Sequence, residues 1–137
     1  MAEVVLVIGL QACGKTTFFR VHLGSTHVLV SKDAMPRSAR HREARLIREL
    51  AAALAAGHDV CVDNTQPSAA ERAGVIAAAR AAGAQVVGHW WHPDLPLSLE
   101  RNARRAEPVP LVGLYAASAR WEEPRLDEGF DELVEHP

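Results

Sequence analysis

The chain lacks several features that would place it outside the class of ordinary intracellular domains. It has no apolar run of the ~20 residues that a membrane-spanning helix needs. Its amino-terminal segment, "MAEVVLVIGL", has an acidic residue, Glu3, where a secretory signal peptide needs basic ones. Only two cysteines occur among 137 residues, so a disulfide framework is not expected. These absences predict a cytoplasmic protein that is not associated with a membrane.

An excess of positive charge is also missing. The formal net charge is −2, which argues against a broad surface that coats nucleic acid but leaves room for a local basic cleft. Repeats, low-complexity tracts and linkers are absent too, and no pattern indicates an oligomeric state. A chain of this length builds one full hydrophobic core and not two. We therefore expect one domain over residues 1–137.

What the sequence does contain is a regular alternation of strand and helix patterns. Four continuous β-rich runs, each typical of a strand covered on both faces, are "EVVLVIG", "THVLVSKD", "HDVCVDNT" and "AQVVGHWW". Helical patterns follow them: "KTTFFRVHL", residues 38 to about 56, "PSAAERAGVIAAARAAG", "PLSLERNARRA" and residues 110 to 121. The tail "GFDELVEHP" is a candidate edge strand. The predicted fold is α/β, with a parallel sheet of four or five strands flanked by helices on both faces.

The segment "GLQACGKT" matches the phosphate-binding pattern G-x-x-x-x-G-K-[ST] between a buried strand and a helix. This context favours a phosphate loop (P-loop) over an ordinary glycine-rich turn. Lys15 is expected at the β- and γ-phosphates of ATP, and the Thr16 hydroxyl at Mg²⁺. The predicted nucleotide-binding residues of the loop are Gly9, Gln11, Ala12, Cys13, Gly14, Lys15, Thr16 and Thr17. Cys13 is either a small filler or an acidified, redox-sensitive thiol.

Two aspartates come at the ends of predicted strands, where open α/β sheets bind ligands. Asp63 in "CVDNT" is a candidate to orient Mg²⁺, although the same residues also suit a turn. Asp33 in "LVSKDAMPR" is either a base that orients an acceptor hydroxyl or the cap of the following helix. Position alone leaves these two roles of Asp33 open.

Two basic clusters accompany these carboxylates. Arg101 and Arg105 are four residues apart and, on a helix, would share a face that could close over phosphates, while Arg104 points elsewhere. A solvated basic face is the alternative. The second cluster contains Arg37, His41, Arg45 and Arg48. Within it Arg37 is the candidate to bind a phosphate on the acceptor, and a solvated face is again the alternative.

Taken together, these motifs resemble the kinase module of polynucleotide 5′-hydroxyl kinases of the phage and DNA/RNA end-repair type. The resemblance spans nearly the whole chain, through "VIGLQACGKTTF", "HVLVSKD", "CVDNTQPSAAERAGVIAAARAAGAQVV", "RNARR" and "EEPRLDEGFDEL". Its more specific parts are the Asp-Asn-Thr segment with its Arg-bearing helix and the late Pro-x-x-x-Glu-Gly-Phe stretch.

The resemblance implies a P-loop NTPase fold with an adenylate-kinase-like sheet and Mg²⁺-dependent transfer of the ATP γ-phosphate to a 5′-hydroxyl end of RNA or DNA. The residues it implies are Lys15 and Thr16 at the phosphates and metal, Asp33 as general base, Arg37 or a neighbour at the acceptor phosphate, Asp63 and Asn64 beside the site, and Arg101 and Arg105 as lid arginines. Two other hypotheses stay open: a small-molecule kinase, and a nucleotide-binding regulatory module with weak or no phosphoryl transfer.

Overall fold

A five-stranded parallel sheet forms the centre of the protein. The structure, a computed structural model, describes residues 1–36, 38 and 40–137. The strands are β1 (Glu3–Ile8), β2 (His27–Val30), β3 (Asp59–Asp63), β4 (Gln85–Trp91) and β5 (Glu132–His136), in the spatial order β2-β3-β1-β4-β5. Every neighbouring pair runs parallel. The fold class predicted from the sequence is confirmed, and the tail is the fifth strand.

The helices connect successive strands and cover the sheet. They are α1 (Lys15–Phe18), α2 (Arg42–Ala55), α3 (Ala69–Ala81), α4 (Leu95–Ala103) and α5 (Leu111–Ala119). A π-helical turn over Phe19–Leu23 extends α1, and short 3₁₀ turns lie at Lys32–Ala34 and Leu126–Glu128. Within the described residues, no helix has the length and apolar character needed to cross a membrane.

The two faces of the sheet carry separate apolar layers. β1 is hydrogen-bonded on both sides, and its residues from Val4 to Ile8 are at most 1% exposed, as expected for a central parallel strand. Alternate side chains point to opposite faces, so Trp90 packs in one layer and Trp91 in the other.

Two expectations about the second βα unit need correction. β2 was expected to be buried on both faces, but it is an edge strand whose Val28 and Leu29 are 38% and 44% exposed. An apolar run signals a strand without revealing its place in the sheet. The helix expected from residue 38 begins only at Arg42, after His41 in a left-handed conformation with φ 52°.

Candidate functional site

The P-loop lies at the carboxyl end of the central strand and leads directly into α1. Its turn requires positive φ at Ala12 (63°) and Gly14 (112°). At Gly9 the constraint is steric, since a Cβ there would lie 2.6 Å from the Cys13 sulfur. The loop therefore packs closely around the Cys13 thiol. In a loop of this type the backbone amides are the donors that bind phosphate.

Cys13 acts as a packing group. Its side chain lies against the apolar layer that contains Trp91. Burial raises the pKa of the thiol, an effect that the nearby Lys15 only partly opposes. The redox-sensitive alternative required an acidified thiol, so the structure supports the small filler.

Lys15 is 9% exposed and donates a hydrogen bond to the Gly9 carbonyl at 2.5 Å. Burial lowers its pKa, while the charges of Asp63 and Asp33 act in the opposite direction. The ammonium group therefore lies within the electrostatic reach of both predicted carboxylates. The structure brings together the P-loop lysine and the ends of β2 and β3, as the sequence predicted.

Asp63 ends β3 and pairs in register with Val7 of β1, which places it beside the root of the P-loop. Burial raises the pKa of this carboxyl; Lys15 lowers it and Asp33 raises it further. Thr16, the second residue of α1, is exposed, as is Thr17. A hydroxyl and a carboxylate are hard oxygen donors, the type of ligand that Mg²⁺ prefers.

Asp33 lies in the 3₁₀ turn that follows β2. The Ser31 hydroxyl accepts a hydrogen bond from the Asp33 amide at 3.1 Å, and the Asn64 side-chain oxygen accepts one from the Lys32 amide at 2.9 Å. Asp33 itself is exposed. Ser31 is thus the cap of this turn, and α2 begins nine residues beyond Asp33. The helix-cap alternative for Asp33 is wrong.

Asn64, which the resemblance places beside the site, lines the cavity next to Asp33 and also makes a structural contact. By accepting the Lys32 amide it joins the end of β3 to the turn that carries Asp33. The pattern "DNT" showed a polar strand end but could not show which neighbour the amide would reach.

The two lid arginines do not share a helix. α4 ends at Ala103, and Arg105 lies in the bend that follows. The buried Asn102 causes this ending, because its side chain both donates to and accepts from the backbone of Val109. The charge of Arg105 nevertheless acts on the P-loop lysine, since it contributes to lowering the pKa of Lys15.

Arg101 remains on α4 and faces the P-loop. Its guanidinium donates to the Ala12 carbonyl at 3.3 Å. Arg104 bonds instead to Glu100 at 2.7 Å, away from the loop as expected. Arg101 is thus exposed but in contact with the P-loop backbone, whereas Arg104 pairs within its own helix turn.

The basic cluster near α2 lies only partly within the described residues. Arg37, the candidate for the acceptor phosphate, lies outside the described residues. Arg45 is exposed and forms an ion pair with Glu49 one turn away, which fits a solvated face. His41 precedes α2 and is also exposed.

A cavity of about 290 Å³ opens between Asp33 and the loop that follows β3, and we call it the Asp33 pocket. Its walls include Gln11 of the P-loop, Arg42 of α2, and Gln66. Sequence reasoning assigned Gln11 to the nucleotide and missed Arg42 and Gln66 altogether. Gln66 follows the Asp-Asn-Thr segment directly, and that adjacency was the one available signal.

A second cavity, of about 380 Å³, lies on the other side of the P-loop and is called the Trp91 pocket. Its walls include Ala12, Cys13, Trp91, Pro93 and Arg101. The two cavities thus flank the phosphate loop, one beside Asp33 and the other beside Arg101.

Comparison with known proteins places this site in a family. The AAA_33 family model, described as an AAA domain, matches residues 4–124. Among solved structures, a gluconokinase from Sinorhizobium meliloti 1021 superposes with a TM-score of 0.69 at 17% identity, over 97% of this chain and 81% of that one. Chaetomium thermophilum Kti12, in complex with ADP-AlF3, gives 0.67 at 22% identity, over 98% and 88%.

Mycobacterium tuberculosis APS kinase CysC, in complex with AMPPNP and APS, gives a TM-score of 0.61 at 18% identity, over 98% of this chain and 88% of that one. At such identities the likeness concerns the fold alone, and it confirms the expected P-loop kinase architecture. Since the family model covers well over half of the chain, this protein belongs to the AAA_33 family of P-loop domains.

Proposed function

We propose that residues 1–137 form one ATP-dependent kinase domain that transfers the γ-phosphoryl group to a hydroxyl of a small molecule. The observation that carries this proposal is the placement of Asp63 and Asp33 after β3 and β2, the two strands on one side of the P-loop strand, with a cavity that Asp33 lines. A purely regulatory nucleotide-binding module needs neither a carboxylate beside the phosphate-binding loop nor an additional cavity.

The nucleotide is assigned to the P-loop and the Trp91 pocket. The loop amides and Lys15 would bind the phosphates, and Lys15 would exchange the Gly9 carbonyl for phosphate oxygens. The Trp91 pocket, bounded by Trp91, Pro93 and Arg101, suits a flat base with its sugar. Arg101 and Arg105 would bind the phosphate charge from the lid side.

Mg²⁺ fits the oxygen donors described above. Thr16 and Asp63 would hold it, and when bound it would neutralise charge on the phosphate oxygens during transfer.

The transfer itself is assigned to Asp33. The acceptor hydroxyl oxygen bonds to the γ-phosphorus, and the bond from that phosphorus to the β,γ-bridging oxygen breaks. ADP leaves with the electron pair of the broken bond, and the hydroxyl proton passes to the Asp33 carboxylate. Arg105 and Lys15 stabilise the charge that develops on the phosphoryl oxygens.

A small acceptor is favoured over a polynucleotide end by the charges around the Asp33 pocket. Two of the basic residues that line it form ion pairs: Lys32 with Glu43, and Arg120 with Glu71 at 3.0 Å. Cations engaged in this way are not available to neutralise a nucleic-acid backbone. The fold neighbours named as gluconokinase and APS kinase, with the small acceptors those names state, agree with this choice.

The second candidate is 5′-hydroxyl kinase activity on RNA or DNA, which the sequence resemblance favours through the Asp-Asn-Thr and Glu-Gly-Phe segments. It uses the same chemistry and differs only in the acceptor. The two candidates are therefore separated by substrate and not by active-site variants.

The test is transfer of label from γ-labelled ATP, with Mg²⁺, to a panel of small alcohols and to 5′-hydroxyl oligonucleotides. 5′-Phosphate oligonucleotides serve as blanks. Asp33→Asn should reduce transfer by about 10²- to 10⁴-fold, the range for general-base catalysis. Asp127→Asn, at an exposed carboxylate in the turn before β5, is the matched control.

Label on small alcohols that is lost in Asp33→Asn supports the proposal. Label confined to 5′-hydroxyl ends supports the second candidate instead. Nucleotide binding without transfer to any acceptor, unchanged in Asp33→Asn, would show a nucleotide-binding module and overturn both.

A further inference from the structure

Buried polar atoms without partners are concentrated in one place. Over the described part of the chain, four buried side-chain atoms lack a hydrogen-bond partner: Gln11 Oε1, Arg42 Nε, Gln66 Oε1 and Gln66 Nε2. All three residues line the Asp33 pocket. Leaving a buried polar atom unpaired is costly, so four such atoms in a single cavity indicate a ligand that satisfies them.

Gln66 is the most telling of the three. Gln66 is only 4% exposed, yet neither the oxygen nor the nitrogen of its side-chain amide has a hydrogen-bond partner. Its backbone has φ 46°, in the left-handed region that a non-glycine residue rarely adopts. The buried Arg72 guanidinium fixes this conformation by donating to the Gln66 carbonyl at 2.8 Å. An amide that is held rigidly at a cavity wall, with its donor and acceptor unpaired, is suited to ligand recognition.

The chemistry of the unpaired atoms describes the ligand. Gln66 Nε2 and Arg42 Nε are donors, whereas Gln66 Oε1 and Gln11 Oε1 are acceptors. A phosphate or carboxylate offers only acceptors, and an ammonium group offers only donors. A hydroxyl group offers both, so two or more hydroxyl groups on one molecule match the whole set.

Charge balance gives the same answer. The described charged residues that line the pocket are three basic ones, Lys32, Arg42 and Arg120, and three acidic ones, Asp33, Glu43 and Glu71. Their formal charges cancel. A described lining without net charge favours an acceptor that is itself uncharged.

We infer that the acceptor is a small neutral polyol, recognised by the Gln66 amide together with Gln11 and Arg42. This inference rests on the proposed kinase function and specifies its substrate class. In this arrangement Gln66 sets specificity and Asp33 contacts the hydroxyl that is phosphorylated. A nucleoside, a monosaccharide or a cyclic polyol each carries the required neighbouring hydroxyls.

The test measures transfer and binding separately. Transfer of label from ATP is followed on neutral polyols (hexoses, pentoses, myo-inositol and nucleosides), on charged relatives (gluconate, glucose 6-phosphate and glucosamine) and on 5′-hydroxyl oligonucleotides. The polyol with the lowest KM is then titrated calorimetrically into the ADP-bound protein.

Gln66→Met keeps the length of the side chain and removes both hydrogen-bonding groups. Gln66→Glu keeps acceptors and removes the donor. Gln85→Met, at an exposed glutamine where β4 begins, is the matched control.

We expect neutral polyols to be the preferred acceptors. Gln66→Met should raise the KM and the calorimetric Kd for the polyol on the order of 10- to 100-fold, with the affinity for ATP unchanged. Gln66→Glu should lie between Gln66→Met and the wild type, and Gln85→Met should match the wild type. Thermal melting confirms that each variant is folded.

Three results would overturn the inference. If a charged acceptor is preferred over all neutral polyols, the proposed substrate class is wrong while the kinase proposal stands. An unchanged KM and Kd in Gln66→Met and Gln66→Glu removes the role of Gln66. Neither binding nor transfer of any polyol rejects the inference directly. A separate outcome, a polyol that binds through Gln66 without being phosphorylated, upholds the recognition and overturns the kinase proposal.

Discussion

Arg72 and Glu128, 56 residues apart, form a buried two-pronged ion pair in which Nε meets Oε1 at 2.8 Å and Nη2 meets Oε2 at 3.1 Å. Arg72 is 0% exposed. Its remaining donors reach the carbonyls of Gln66 at 2.8 Å and Glu122 at 3.1 Å. One guanidinium thus ties α3 to the wall of the Asp33 pocket and to the segment that leads into β5. It also explains why the Arg-bearing helix and the Glu-Gly-Phe stretch stood out together in the sequence.

Loss of this pair should be costly. Arg72→Met is expected to lower the free energy of unfolding by about 3–5 kcal/mol, because it leaves the largely buried carboxylate of Glu128 uncompensated. Urea denaturation measures this value. A double-mutant cycle with Glu128→Gln should show strong coupling between the two sites. A loss below 1 kcal/mol, or additive effects, would contradict the assigned role. Arg125→Met, at an exposed pair, is the control.

The contact between Gly9 and Cys13 predicts a suppressor relationship. Gly9→Ala would place a Cβ 2.6 Å from the Cys13 sulfur, so we expect stability to fall by about 1–3 kcal/mol and ATP binding to weaken. Adding Cys13→Ala removes the clashing atom and should recover more than half of both losses. Gly74→Ala, whose new Cβ has only ordinary contacts beyond 3.4 Å, serves as control. Equal defects with and without Cys13→Ala would show that the glycine is required for another reason.

Asn64 is predicted to be a positioning residue for Asp33. Asn64→Ala removes the acceptor for the Lys32 amide and frees the turn that carries Asp33. The rate constant kcat should fall about 10- to 100-fold, since small displacements of reacting groups have large kinetic effects. The Kd for ATP, measured calorimetrically, should stay within twofold because the P-loop is untouched. A change in Kd with kcat preserved would assign Asn64 to the nucleotide instead.

The stability of the fold should depend on pH through His89. Burial lowers the pKa of His89 to about 4, and the neighbouring His136 acts in the same direction, as does His22, while Glu3 opposes them. Between pH 6.5 and 4 the unfolded chain binds a proton at this position that the folded chain does not. The free energy of unfolding should therefore fall as the pH falls, by about 1–2 kcal/mol between pH 6.5 and 5 from this partly exposed residue.

The measurement is urea denaturation at several pH values from 7.5 to 5, above the range in which most carboxylates titrate. His89→Gln should flatten the profile, and His58→Gln, at an exposed histidine, is the matched control. An unchanged slope in His89→Gln would locate the pH dependence elsewhere, with His136 the next residue to replace.

Local patterns predicted much of this protein because their causes are local. The P-loop motif predicts its own turn, since positive φ and the absence of a Cβ are properties of single positions such as Gly14 and Gly9. The helix over Ala69–Ala81 follows from its Ser68 cap and from Gly83, which has φ 74°. The alternation of strands and helices then restricts the fold to a parallel sheet. The ends of β2 and β3 had to meet at one edge, which placed Asp33 and Asp63 together.

The tertiary structure decided which partner each side chain reaches, because those contacts join residues far apart in the chain. No spacing could show that β2 lies at the edge, that Asn64 would bond to the Lys32 amide, or that Asn102 would end α4 before Arg105. The burial of Gln66 depends on the same long-range packing, through Arg72. Local patterns specified the phosphate loop and the sheet around it, whereas long-range packing decided the shape and polarity of the cavity beside it.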